Sequence, residues 1–186
     1  MSEAIELVAP NPIWAAEFSA TKHLLLPCFS VPPRLIEHMG STAVPGLVAK
    51  PIIDIIVLVD ALETVRPDMA ALEAIGFLHR ADYADGTKLV LMKYAVDGQR
   101  SHHLHVHEDA EEVRRHVLFR DLLRSAPEVR VAYAALKLEL AERYRDDRMA
   151  YSRHKTAFID EVVAAHGGPM RRVPWNPLTP TSGAAS

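Results

Sequence analysis

An α+β domain, a mixed sheet covered by helices, is the fold class that three features predict. Strand patterns crowd the chain before His107, helical stripes fill most of the remainder, and tight-turn dipeptides punctuate the strands. The 186 residues suit one domain that buries roughly two-thirds of its unfolded surface. Residues 1–168 are expected to form it. Residues 169–186, rich in proline and small side chains, are expected to be a mobile or loosely docked tail.

Ile5 to Ala9 is a short apolar run closed by Pro10-Asn11-Pro12. A helix should come next, because Trp14, Phe18 and Leu25 recur at near-helical spacing, Asn11 makes a cap and Pro12 suits the first turn. Pro27, Pro32 and Pro33 end it. Arg34 to Met39 reads as a strand entering a Gly-Ser turn, and Pro51 to Val59 as an Ile/Val strand buried on both faces. Val65, Met69, Leu72 and Ile75 form one stripe of a helix over 61–75, with Pro67 near its first turn and Gly76 as its carboxyl cap.

Strands over 77–83, 88–96 and 101–107 come next, joined by Asp85-Gly86 and Asp97-Gly98 as an antiparallel meander. Val113, Val117, Leu118 and Leu122 then mark a helix, and Val129, Tyr133, Leu136, Leu140 and Tyr144 mark another. A third should run from Tyr151 to Ala165, capped by Gly167 and Gly168.

A formal charge of -3 argues against broad nucleic-acid binding. The single Cys28 cannot close an intramolecular disulfide, the acidic amino end lacks a signal pattern, and no apolar run approaches the ~18 residues of a membrane span. A soluble, cytoplasmic protein is expected.

Chemistry concentrates in two places. In the first, Gly40 lets backbone approach a ligand, the Ser41 and Thr42 hydroxyls and amides can donate to phosphate oxygens, and Asp54 can ligate a hard cation. A lone Asp in an apolar strand needs a reason, since a buried unpaired carboxylate is costly. The same residues serve equally as a turn cap, with Asp54 bonded to nearby backbone amides.

The second place is Arg100-Ser101-His102-His103-Leu104-His105-Val106-His107. Strand geometry puts His103, His105 and His107 on one face and Leu104 and Val106 on the other. His103 and His105 are read as functional, because neutral imidazoles suit transition metals and protonated ones suit phosphate. His102 and His107 are expected on solvated strand surface.

Lys50 and Arg100, each just before a strand of interest, can approach phosphate at the sheet's end. Lys137 and Lys155 each come four residues after a stripe Tyr, at the edge of buried surface. Either lysine can serve phosphate or lay its stem over apolar neighbours. Asp60 reads as a strand-end cap and Arg120-Asp121 as an internal ion pair.

Several motifs in order resemble the GrpB family: Gly40-Ser41-Thr42-Ala43-Val44-Pro45-Gly46-Leu47, Lys50-Pro51-Ile52-Ile53-Asp54-Ile55, His102-His103-Leu104-His105-Val106 and Phe119-Arg120-Asp121-Leu122-Leu123-Arg124. The family is grouped with the nucleotidyltransferases and has relatives fused to dephospho-CoA kinases. The resemblance implies a nucleotidyltransferase-like α+β fold with a carboxyl-terminal helical segment. In that superfamily a Gly-Ser pair holds a triphosphate, and two carboxylates one residue apart on the next strand hold two divalent ions. Here Ile56 stands at the second carboxylate's place.

One divalent ion (magnesium, manganese or zinc) held by Asp54, His103 and His105 is therefore the expected arrangement, with Asp54 and His105 as catalytic residues. Gly40, Ser41, Thr42, Lys50, Arg100 and Lys137 would then contact a nucleotide or other phosphorylated small molecule. The expected activity is metal-dependent nucleotidyl transfer to an acceptor that the residues do not identify. A noncatalytic module for a nucleotide, a coenzyme A precursor or a protein partner is the alternative. A histidine-triad hydrolase is imitated by the strand, but Glu108-Asp109 after it would repel an anion.

Overall fold

A five-stranded sheet organises the protein, in a computed structural model that describes residues 4–81 and 86–172. The strands are β1 (Leu35–Met39), β2 (Ile53–Leu58), β3 (Leu78–His79), β4 (Lys88–Tyr94) and β5 (Arg100–His107), in the order β1-β2-β5-β4-β3. Only β2 and β5 run parallel; the other neighbours are antiparallel. The helices are α1 (Ile13–Leu25), α2 (Met69–Ala74), α3 (Ala110–Ser125), α4 (Pro127–Arg143) and α5 (Arg148–Ala165). Among the described residues no helix is long and apolar enough to cross a membrane.

Alternation along the two central strands decides what covers each face. Ile53, Ile55 and Val57 of β2, with Leu104 and Val106 of β5, enter a core with Trp14 and Leu25 of α1 and Leu72 of α2. On the other face Ile56 packs with Met39 and with Val113 of α3. A second layer joins α3, α4 and α5 through Phe119, Leu123, Tyr133 and Val163, and takes in Val44 and Leu47 from the loop after the Gly-Ser turn. That packing seats α4 beside the turn, which is why its Lys137 reaches Ser41.

The Asn11 side chain accepts from Ile13 N at 3.1 Å at the start of α1. The helix expected over 61–75 is divided: Leu62–Asp68 is a 3-10 helix with Pro67 inside it, and α2 begins at Met69. Proline donates no amide hydrogen, so a continuous α-helix cannot run through that position. The start expected at Tyr151 lies earlier, at Arg148, because the Asp147 carboxylate accepts from the Met149 and Ala150 amides. Asp60 forms an ion pair with Arg34 instead of capping β2. Asp82, Tyr83 and Asp85 of the expected strand and turn, and residues 173–186 of the expected tail, lie outside the described residues. Ahead of them, Arg171 bonds Asp160 at 3.1 Å and Arg172 pairs with Asp109 at 3.2 Å, so the tail's first residues are tied to α5 and to the start of α3.

Candidate metal and phosphate site

The parallel register of β2 and β5 sets Asp54 beside His103 and Ile56 beside His105, with all four side chains on the α3 face of the sheet. Asp54 Oδ1 accepts a hydrogen bond from His103 Nδ1 at 3.0 Å. Burial alone would raise the Asp54 pKa, but the His103 bond and the nearby His105 and Lys50 hold it down to about 2. An ionised carboxylate only accepts, so His103 Nδ1 carries the proton of that bond. His103 Nε2 is buried with no hydrogen-bond partner among the described residues. His105 is kept neutral by burial, reinforced by His103, well below the usual imidazole range. Ligand atoms of Asp54, His103 and His105 all lie within 4.8 Å of one another.

Gly40 makes this approach sterically feasible. Its φ of +71° lies in the left-handed region, and an added Cβ would overlap the Asp54 carboxylate, with the Asp54 Cβ itself only 3.2 Å away. Gly40→Ala is therefore expected to destabilise the fold by about 1–3 kcal/mol and to displace Asp54. Gly46 has a similar φ of +79° and open space around it, so Gly46→Ala isolates the backbone part of that penalty. Thermal unfolding of both variants checks the difference: Gly40→Ala should be the more damaging.

The turn itself is clamped. Thr42 is buried, and its hydroxyl donates to Ile52 O at 3.1 Å while accepting from His38 Nε2 at 3.0 Å. Its hydroxyl, one of the groups expected to donate to phosphate, is thus bonded within the protein and holds the turn together. His38 stacks on Phe18 of α1, and burial lowers its pKa to about 4, in keeping with a neutral ring. From α3, Arg120 donates to His38 O at 2.9 Å and Arg124 donates twice to Ala43 O. The Arg120-Asp121 ion pair is present, and Glu37 on β1 accepts from Arg120 as well.

Lys137 of α4 reaches the turn directly. It is 1% exposed, donates to Ser41 Oγ at 2.9 Å and to Val48 O, and lies over the Tyr133 ring. Lys155 and Lys50 share the Tyr151 ring, at 4.3 and 5.6 Å from its centroid. Burial foremost, then neighbouring positive charge, lowers Lys50 and Lys137 to about 7; burial lowers Lys155 to about 8. Arg100, at the start of β5, adds to the positive charge at Lys50. Arg148 carries no obvious sequence signal, whereas Tyr133 and Tyr151 are the stripe tyrosines that precede Lys137 and Lys155 by four residues. Lys155 has one: its four-residue spacing from Tyr151 repeats that of Lys137 from Tyr133.

Two histidine expectations are corrected. His107 is 4% exposed and stands near His116 of α3, ring centroids 6.3 Å apart. His102 faces α1, contacting Thr21 Oγ1 at 3.1 Å and the edge of Phe77. Both lie under helices, because this sheet is covered on both sides. Ile56 is fully buried against Met39 and Val113, so the place of a second carboxylate is part of the core.

The mixed sheet with a Gly-Ser turn opposite a carboxylate on its second strand is an α+β fold of the nucleotidyltransferase-like kind. The fold is similar to that of Cid1, solved with its short product ApU, at a TM-score of 0.53 and 14% identity over 84% of this chain and 50% of that one. The chain belongs to the GrpB family, whose model, described as GrpB protein, matches residues 4–165. The crystal structure of conserved protein GrpB from Enterococcus faecalis superimposes with a TM-score of 0.77 at 29% identity, covering 87% of this chain and 99% of that one. A UPF0157 protein of Pseudomonas aeruginosa is 38% identical over 164 residues, 87% of this chain and 66% of its own length. The UPF0157 protein YqkA of Bacillus subtilis is 32% identical over 156 residues, 83% of this chain and 45% of its own length. The chain thus spans 66% and 45% of the length of these two UPF0157 proteins.

Proposed function

We propose that this is a cytoplasmic, metal-dependent nucleotidyltransferase-like protein, formed by residues 1–168 as one domain, that holds one divalent cation on Asp54, His103 and His105. The observation that carries the reading is the convergence of an ionised carboxylate with the His103 and His105 imidazoles, one ligand atom of each lying within 4.8 Å of the others. Donors of this mixed nitrogen and oxygen type suit zinc or manganese better than a pair of magnesium ions. The Asp54-His103 bond holds the two side chains together in the ligand-free protein and gives way when both ligate the cation.

A cation there supplies Lewis-acid charge to a phosphoryl oxygen. The chain's own residues do the rest. Ser41 Oγ and the turn amides bind phosphate oxygens, Lys137 orients Ser41, and Lys50 and Arg100 offset the ligand's charge. Asp54 and His105 are the residues on which the chemistry depends. The acceptor is a molecule that reaches the open side of the turn.

Metal analysis of purified wild-type protein, Asp54→Ala and His105→Ala tests the proposal. Stoichiometric metal in the wild type and loss in both variants is expected; equal content in all three contradicts it. The burial of Ile56 favours a second reading, binding of a nucleotide or coenzyme A precursor without turnover. Thermal-shift measurements with nucleotides and divalent metals, and then prolonged incubation with labelled nucleotide, separate the two. Stabilisation with product supports transfer, and stabilisation without product supports the binding module.

A further inference from the structure

Among α1, α3, α4 and α5, the first is the most apolar. Its inner side buries Trp14, Thr21 and Leu25, while Ile13 is 53% and Leu24 51% exposed. Ala16, Glu17, Ala20 and His23 are exposed between them. At ~100° per residue, Ile13, Ala16, Glu17, His23 and Leu24 all fall within about 60° of Ala20, so they share one face. The outer side of a surface helix is ordinarily charged, yet Glu17 and the basic pair Lys22-His23 are all the charge this helix carries.

The order of these residues about Ala20 decides what fits the face. Glu17 and His23 lie at equal distances along the chain on either side of Ala20, and so do Ala16 and Leu24, and Ile13 and Pro27. When two copies of α1 pack antiparallel about a twofold axis at Ala20, Glu17 of each meets His23 of the other, Leu24 covers Ala16, and Ile13 meets the exposed Pro27. A twofold interface requires this self-complementarity. Glu17 has no ion pair among the described residues, and His23 is bonded through Nδ1 to Ser19 O at 2.7 Å, which leaves Nε2 for a carboxylate. The other exposed apolar pair on a helix, Val131 and Leu138 of α4, is flanked by the exposed Glu128, Glu139 and Glu142, and like charges there would oppose a second copy.

We propose that α1 is a self-association surface on which a second copy of this chain docks through its own α1, antiparallel, to form a twofold dimer. Ile13, Leu24 and the Glu17-His23 pairs supply its contacts, and Ala20 at the axis lets the helices approach to about 8 Å. Because α1 covers the sheet face away from α3, the pairing leaves the group of Asp54, His103 and His105 uncovered in both copies. The dimer is independent of what that group holds.

Sedimentation equilibrium of the full chain tests the surface. The wild-type mass should rise with concentration toward twice 20.6 kDa. Ala20→Glu sets two carboxylates against each other at the axis and should weaken the dimer at least about tenfold, as should Glu17→Lys, which sets like charges together. Both positions are exposed and both new residues are good helix formers, so the fold should persist, which circular dichroism checks. Combining Glu17→Lys with His23→Glu restores opposite charges across the axis and should recover the association. Leu138→Glu on α4 should change nothing. A monomer at every concentration up to about 1 mM, the range of weak association, overturns the proposal and leaves the face to a different partner. A dimer that Ala20→Glu leaves intact, or one that Leu138→Glu breaks instead, overturns it as well.

Discussion

Asp54→Asn is expected to lower divalent-metal affinity by at least about 100-fold while the fold persists. Asparagine keeps the shape of the side chain, and its Oδ1 still accepts from His103 Nδ1, so the β2-β5 contact survives. The anionic ligand, the component that most favours a cation, is gone. Competition with a chromogenic chelator measures the loss. The same variant carries a pH signature. The Asp54 pKa is held down to about 2 from 3.8, so its ionisation contributes stability that is present above pH 3.8 and lost as pH falls through about 2. Acid unfolding of the wild type should include that component and Asp54→Asn should lack it. Unchanged metal affinity in the variant would move the cation away from β2.

Arg115→Leu is expected to destabilise the fold by about 3 kcal/mol, the largest effect foreseen for a residue outside the site. Arg115 is fully buried, donates to both carboxylate oxygens of Glu112 at 3.0 and 2.8 Å, and bridges to Asp160 of α5 at 2.9 Å. Removing the guanidinium strands Glu112 in a half-buried place and frees α5, the helix that carries Lys155. The figure sits at the low end of its range because Glu112 and Asp160 keep 20% and 36% of their side-chain exposure and retain Arg171 as a partner. Burial would raise Glu112, but His116 and Arg115 hold it well below the usual carboxylate range. Its contribution is therefore present above about pH 4.5 and fades as pH drops further. Denaturant melts should show the gap between wild type and Arg115→Leu narrowing in acid.

Local signals foretold most of the fold, since each strand and long helix carries its own periodicity. The features they missed arise from medium-range chemistry. Pro67 divides a stripe that reads as one helix, and Asp147 moves the start of α5 forward by capping it. Within the site, strand parity placed His103 and His105 on one face, but only the parallel β2-β5 register brings them to Asp54, 49 residues away in the chain. Lys137 could be placed at the edge of a buried stripe, yet its target lies 96 residues off, beyond the reach of any local pattern. Thr42 looked like a ligand donor because hydroxyl chemistry is the same whether it meets phosphate or, as here, Ile52 O and His38. Arg115 gave no warning, as it lies between the stripe residues Val113 and Val117 of the expected helix.

Anomalous diffraction from crystals grown with manganese or zinc addresses the site most directly. A single strong peak within coordination distance of Asp54, His103 and His105 is the expected result. Saturating metal with no peak there, and the Asp54-His103 hydrogen bond left as it is, would contradict the account.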